Sequence, residues 1–141
     1  MKAATKAMTV LVVEDDPELR QILVAMAAVR GELAGIEGIA VRQAASLEQA
    51  LDRLDGVEAV IVDGTFPCVE GLAPHAGLWL PVWREAIREG ARVSLFTADT
   101  EQYRLGASLF QGASPHLARA FEKPWGGTAG VEWAVNGVEF P

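Results

Sequence analysis

Acids at Glu14, Asp15 and Asp63, a hydroxyl at Thr97 and an amine at Lys123 stand at the ends of short apolar runs: Val10–Val13, Ala59–Val62, Val93–Phe96 and the weaker Leu117–Phe121. Runs of this length suit strands buried on both faces of a parallel sheet. In an open α/β sheet the ligand crevice lies beyond the carboxyl ends of the strands. The acids, the hydroxyl and the amine would therefore meet at one edge. Converging carboxylates suit a hard divalent cation, and a lysine with a hydroxyl can cradle a phosphoryl group.

That chemistry has a definite form. A carboxylate that attacks a phosphoryl donor becomes an acyl phosphate, a high-energy anhydride that water hydrolyses. Positioning and charge neutralisation dominate phosphoryl transfer, so little covalent machinery is needed. Asp63 is the expected nucleophile, because it ends the central run opposite Lys123 and Thr97. Glu14, Asp15 and Asp63 crowd negative charge; two such charges ~4 Å apart repel by about 4 kcal/mol at an effective dielectric of about 20. A divalent cation relieves that repulsion, and an all-oxygen ligand set selects Mg²⁺ or Mn²⁺.

The constellation resembles the receiver domain of two-component response regulators over roughly residues 9–125. Glu14 and Asp15 match the acidic pair that holds the metal. Asp63 matches the phosphoacceptor, with Pro67 and Gly71 keeping the D-x-x-x-P-x-x-x-G spacing. Thr97-Ala98 matches the switch hydroxyl and the small residue after it, and Lys123-Pro124 the family's lysine and proline. The resemblance implies a doubly wound five-stranded parallel sheet in the flavodoxin-like order 2-1-3-4-5. It implies Asp15 and Asp63 as direct Mg²⁺ ligands, Glu14 acting through water, and the Thr65 main-chain carbonyl completing the set. Lys123 is expected to pair with Asp63 at rest and with a phosphoryl oxygen afterwards; the plainer reading is a surface lysine. The implied partners are a sensor histidine kinase or a histidine phosphotransfer protein, and a downstream protein target. Such a domain is a signalling phosphoacceptor that assists its own phosphorylation and dephosphorylation, not an enzyme with a separate substrate.

Composition agrees. A chain of 141 residues, half of them hydrophobic, has the size of one domain with a proper core. With 19 acidic against 12 basic side chains the formal charge is −7. An acidic surface repels phosphate backbones, which argues against direct nucleic-acid binding. The single cysteine, Cys68, excludes an internal disulfide and fits a reducing cytoplasm; a small turn residue is its plainer reading than a redox site. Residues 1–8 read as a flexible leader without a signal-peptide apolar stretch, and no run approaches membrane-span length.

The elements that must position these groups alternate strand and helix. The spacing predicts a first helix over residues 17–29, with Leu19, Ile22, Leu23, Met26 and Val29 toward the sheet, then a glycine-rich connection and a second strand over 39–44. Ser46 and Gln49 form a capping box for a helix through Leu54, and a third strand over 58–62 delivers Asp63. Residues 73–77 read as loop, followed by a helix from about Pro81 to before Gly90 whose Trp79, Trp83 and Ile87 read as core. His75 and His116 read as loop residues, without a partner at metal spacing. A fourth helix is expected over 100–110, with Tyr103, Ala107 and Phe110 on one side.

The end of the chain departs from the family. Residues 126–141 read as an atypical segment packed on the same domain, with the last helix short, absent or replaced. Val131, Trp133 and Val135 alternate before Asn136-Gly137, a hairpin signal. The segment is too short for a DNA-binding output domain, which resembles single-domain regulators of the chemotaxis kind. Receivers usually carry an aromatic three residues before the lysine, which turns inward as the threonine moves. That position is Ala120, while Phe121 should face the other side of the sheet. An interaction module with a lost or atypical switch is thus the alternative function. A haloacid-dehalogenase-like hydrolase fits poorly: in its D-x-D-G-T pattern Ile61 would have to be the nucleophile.

Overall fold

A computed structural model of the protein describes residues 7–113, 117–123 and 127–136. Pro124, His116, the end of the hairpin motif and most of the leader lie outside them. The elements run β1 (Thr9–Val13), α1 (Pro17–Leu33), β2 (Ala40–Ala44), α2 (Leu47–Asp52), β3 (Ala59–Val62), β4 (Thr65–Pro67), β5 (Pro74–Ala76), α3 (Trp79–Arg88), β6 (Arg92–Thr97), α4 (Thr100–Ala113), β7 (Ala118–Glu122) and α5 (Gly127–Asn136). The main sheet is parallel, in the order β2-β1-β3-β6-β7. Leaving aside the two small strands β4 and β5, this is the order 2-1-3-4-5 expected of a flavodoxin-like sheet.

The central strands are apolar because helices cover both of their faces. Val10, Leu11, Val12 and Val13 of β1 and Val60 and Val62 of β3 are wholly buried. One core, beneath α2, α3 and α4, gathers Leu11, Val60, Phe66, Trp79, Trp83, Leu95 and Phe110. The other, beneath α1 and α5, gathers Val10, Val12, Leu23, Ile61, Phe96, Phe121 and Trp133. The edge strand β2 alternates in exposure, as a strand with one open side should.

Helix starts follow their caps. Asp16 accepts from the Glu18 and Leu19 amides, with Pro17 in the first turn of α1. Ser46 Oγ accepts from the Gln49 amide while Gln49 Oε1 accepts from the Ala45 amide, at 3.1 and 2.8 Å. That helix stops at Asp52, two residues short of Leu54.

Several expectations need correction. The first helix continues to Leu33, and its buried line is Leu23, Ala27 and Gly31. Ile22 and Val29 face solvent, at 55% and 52% exposure. Small residues let α1 lie close to the sheet, and a pattern drawn through large apolar side chains misses such a face. Residues 74–76 form a strand, antiparallel to residues 65–67. Three-residue strands flanked by proline leave no alternation to read, and Pro67 and Pro74 are tolerated because they end the ladder.

Residues 127–136 form a helix. Val131 through Val135 are all buried on α5, so Val131, Trp133 and Val135 do not alternate along a hairpin arm. A Cβ at Gly130 would stand 3.1 Å from Ser94 Oγ and 3.3 Å from the Phe121 ring, so glycine there admits a close helix–sheet approach. Arg92 donates to the Ala134 and Val135 carbonyls at 3.2 and 2.8 Å, satisfying the end of the helix. Glu132 ties α5 to Arg30 of α1 at 3.1 Å.

Candidate phosphoacceptor site

Three of the site residues leave the sheet while their own amides are still held by it. Glu14 N–H donates to the Ala44 carbonyl, Asp63 N–H to the Val13 carbonyl and Lys123 N–H to the Thr97 carbonyl, at 3.0, 3.0 and 2.9 Å. The side chains therefore project from a fixed edge. Carboxylate oxygens of Glu14, Asp15 and Asp63 lie within 4.8 Å of one another. Lys123 Nζ bridges two of the three, 3.1 Å from Glu14 Oε2 and 3.3 Å from Asp63 Oδ1. The same ammonium stands 5.3 Å from the centre of the Phe96 ring, a cation–π contact.

The electrostatics record how crowded the cluster is. Glu14 is only 2% exposed. Burial, with the Asp63 charge next, pushes its carboxyl up to about 8, against the opposing pull of Lys123. Burial also raises Asp63, while Lys123 and the Gly64 amide, which donates to Asp63 Oδ1 at 2.7 Å, work the other way. One lysine does not neutralise this set. The donors are all oxygen, they converge, and they carry uncompensated charge, so the residues present fit a hard divalent cation such as Mg²⁺. Asp16 lies apart in role, its carboxylate spent on the α1 cap.

Thr97 reaches the site through Gly64. A Cβ on Gly64 would stand 2.4 Å from Thr97 Oγ1 and 2.8 Å from Thr97 Cβ, so the acid-bearing loop and the buried threonine touch only because residue 64 is glycine. Thr97 Oγ1 accepts from the Asp99 amide at 3.0 Å, and Asp99 in turn caps α4. Gln102, one turn on, accepts from Trp79 Nε1 at 2.7 Å. Thr65 opens β4 two residues after Asp63, opposite Ala76.

Sequence reasoning passed over Gly64, Gln102, Phe96 and Arg20. A glycine directly after Asp63 was a readable sign of close approach. Gln102 and Phe96 gave no sign, since their partners are distant in the chain. Arg20 gave none either, because it binds a main-chain carbonyl.

No family model matches the chain, and no curated protein matches it in sequence. Solved structures do match. A response regulator receiver domain protein from Clostridium thermocellum aligns with TM-score 0.60 and 18% identity, over 92% of this chain and 95% of that one. A response regulator receiver protein from Sinorhizobium medicae WSM419 aligns with TM-score 0.63 and 17% identity, over 93% and 96%. The chain has the receiver fold. A de novo designed Rossmann 2x3 fold protein also aligns, with TM-score 0.56 and 15% identity over 94% and 92% of the two chains. Architecture of this kind therefore carries no function by itself; function lives in the residues of the site.

Two local features adjoin the site. The β4–β5 hairpin directly follows Asp63 and is held to α2, where the Glu48 amide donates to the Cys68 carbonyl at 3.0 Å and Gln49 Nε2 donates to Glu70 at 2.9 Å. Ala120 packs against the α3–α4 core, beside a cleft of about 420 Å³ between α4 and β7 that Tyr103 and Phe110 also line. Phe121 faces the opposite side, its ring 6.3 Å from Trp133, as strand alternation requires. No helix among the described residues is long and apolar enough to cross a membrane.

Proposed function

We propose that this chain is a receiver that accepts a phosphoryl group on Asp63 and signals through contact with another protein or by passing the group on. The donor is a phosphohistidine of a sensor kinase or of a phosphotransfer protein, and the setting is the cytoplasm. The observation that carries this reading is the lysine bridging Glu14 and Asp63 beside a third carboxylate, on a sheet edge that holds the amides of Glu14, Asp63 and Lys123.

In the transfer, an Asp63 carboxylate oxygen attacks phosphorus. The bond from phosphorus to the donor imidazole nitrogen breaks, and its electron pair stays on that nitrogen. Asp63 is then an acyl phosphate. Lys123 exchanges its contact with Asp63 for one with a phosphoryl oxygen, which keeps developing charge neutral. The Thr97 hydroxyl, beside Gly64, donates to another phosphoryl oxygen. Glu14, Asp15, Asp63 and the Thr65 carbonyl would hold Mg²⁺, which supplies charge neutralisation for the acids and the incoming group.

A receiver-fold interaction module without the usual switch is the second reading. It draws on Ala120: the one aromatic of β7, Phe121, lies on the opposite face of the sheet, so none is placed to follow Thr97 inward. Treatment with a small phosphodonor and Mg²⁺ distinguishes the two. Intact mass should show one phosphoryl group in the wild type, sensitive to hydroxylamine. The Asp63→Asn variant should gain none, and Asp16→Asn should gain most of it. A wild type that gains no mass would favour the second reading; label that survives Asp63→Asn and vanishes in Asp16→Asn would mean the acceptor is misassigned.

A further inference from the structure

Arg20 lies in the second turn of α1 and reaches back over the end of β1. Its Nη1 donates to the Glu14 carbonyl at 2.9 Å, and its Nε donates to Gln43 Oε1 on β2 at 3.1 Å. The Glu14 amide is already bound to the Ala44 carbonyl. Both polar groups of the Glu14 main chain are thus fixed, one by the sheet and one by a guanidinium. The Asp16 amide donates to Glu14 Oε1 at 3.2 Å, which closes the turn from inside. Arg20 is half-buried and lines a polar cleft of about 230 Å³ with Gln43, Gln49, Arg53 and Glu70.

We infer that Arg20 is a positioning residue for the acidic pair, setting the Glu14–Asp15 peptide so that both carboxylates turn toward the cation. The inference rests on the cation site proposed above. Its physical basis is local. A charge-assisted hydrogen bond to a carbonyl is stronger and shorter than a neutral one, and its planar fork lets one side chain grip β1 and β2 together. Arg20 holds the Glu14 main chain and not its carboxylate, which leaves the carboxylate oxygens for the metal. Groups that orient ligands in this way typically contribute about 10–100-fold to metal affinity.

The test is calorimetric titration of the metal-free protein with MgCl₂, for wild type, Arg20→Ala, Arg20→Lys and Arg53→Ala. Arg53 lines the same cleft and binds the Gln43 carbonyl, but makes no contact with Glu14. Arg20→Ala should weaken Mg²⁺ binding about tenfold or more, and Arg20→Lys, which keeps the charge but not the fork, should recover part of that. Arg53→Ala should bind as the wild type does. At saturating Mg²⁺, acyl-phosphate formation in Arg20→Ala should return to within about twofold of wild type, which general damage to the fold would not allow. Equal Mg²⁺ affinity in Arg20→Ala and wild type, or equal weakening in Arg20→Ala and Arg53→Ala, overturns the inference. If Arg20→Ala does not fold, Arg20→Lys decides alone: wild-type affinity in that variant refutes a role for the fork. A wild type that binds no Mg²⁺ removes the cation site itself, and this inference with it.

Discussion

Replacing Glu14 with glutamine should stabilise the metal-free protein at neutral and alkaline pH. Burial and the Asp63 charge move Glu14 from its ordinary 4.5 up to about 8. Between those values the folded protein keeps a proton on Glu14 that the unfolded chain has released. Stability contributed by this group is therefore complete below the lower value and is lost as pH rises toward the upper one. At about 1.4 kcal/mol per pH unit, the loss over the whole window is on the order of 4–5 kcal/mol. Glutamine keeps the shape and has no proton to lose in this range. Urea denaturation with a chelator, from about pH 5 to pH 8, measures the difference directly. The variant should gain on the wild type by several kcal/mol across that range, and Mg²⁺ at the alkaline end should restore much of the wild type's deficit, because a cation favours the ionised carboxylate. If wild type and Glu14→Gln lose stability in parallel, Glu14 does not hold its proton through burial and repulsion.

Mg²⁺ should stabilise the wild type by about 2.7 kcal/mol at a hundredfold excess over its dissociation constant, and Asp15→Asn should remove most of that; a thermal melt indifferent to Mg²⁺ well above millimolar counts against the site. Gly64→Ala forces a Cβ into the buried Thr97 side chain, so denaturation should show a loss of about 1–3 kcal/mol, the usual cost of overpacking, and an unchanged midpoint would mean the loop relaxes freely. With Ala120 unable to follow Thr97, a phosphoryl mimic should shift amide resonances mainly in residues 64–77 and 97–103. Large shifts across residues 117–121 and α5 would show that another group, such as Phe121, has taken the aromatic's part.

The sheet was legible because its strands are buried on both faces, so runs such as Val10–Val13 and Ala59–Val62 contain nothing but apolar residues. The convergence of Glu14, Asp15, Asp63 and Lys123 was legible for the same reason: a strand's end fixes where the next side chain stands. What the sequence hid depends on groups that periodicity does not weigh. The buried line of α1 runs through Ala27 and Gly31, whose small side chains register weakly as apolar. The hairpin after Asp63 is too short to alternate. Glycine has low helix propensity, yet the missing side chain of Gly130 is what lets α5 reach Ser94 and Phe121. Arg20 and Arg92 act on carbonyls contributed by other elements, and a carbonyl has no residue identity to read.

The central claim is that Asp63 takes the phosphoryl group. Phosphorylated protein can be trapped with borohydride, which reduces an acyl phosphate on aspartate to homoserine, and the modified residue located by peptide mass spectrometry. Homoserine at position 63, and its disappearance when Mg²⁺ is chelated before phosphorylation, is the predicted result. Homoserine at position 15 or elsewhere, or none from a protein shown to be folded and Mg²⁺-loaded, would contradict it.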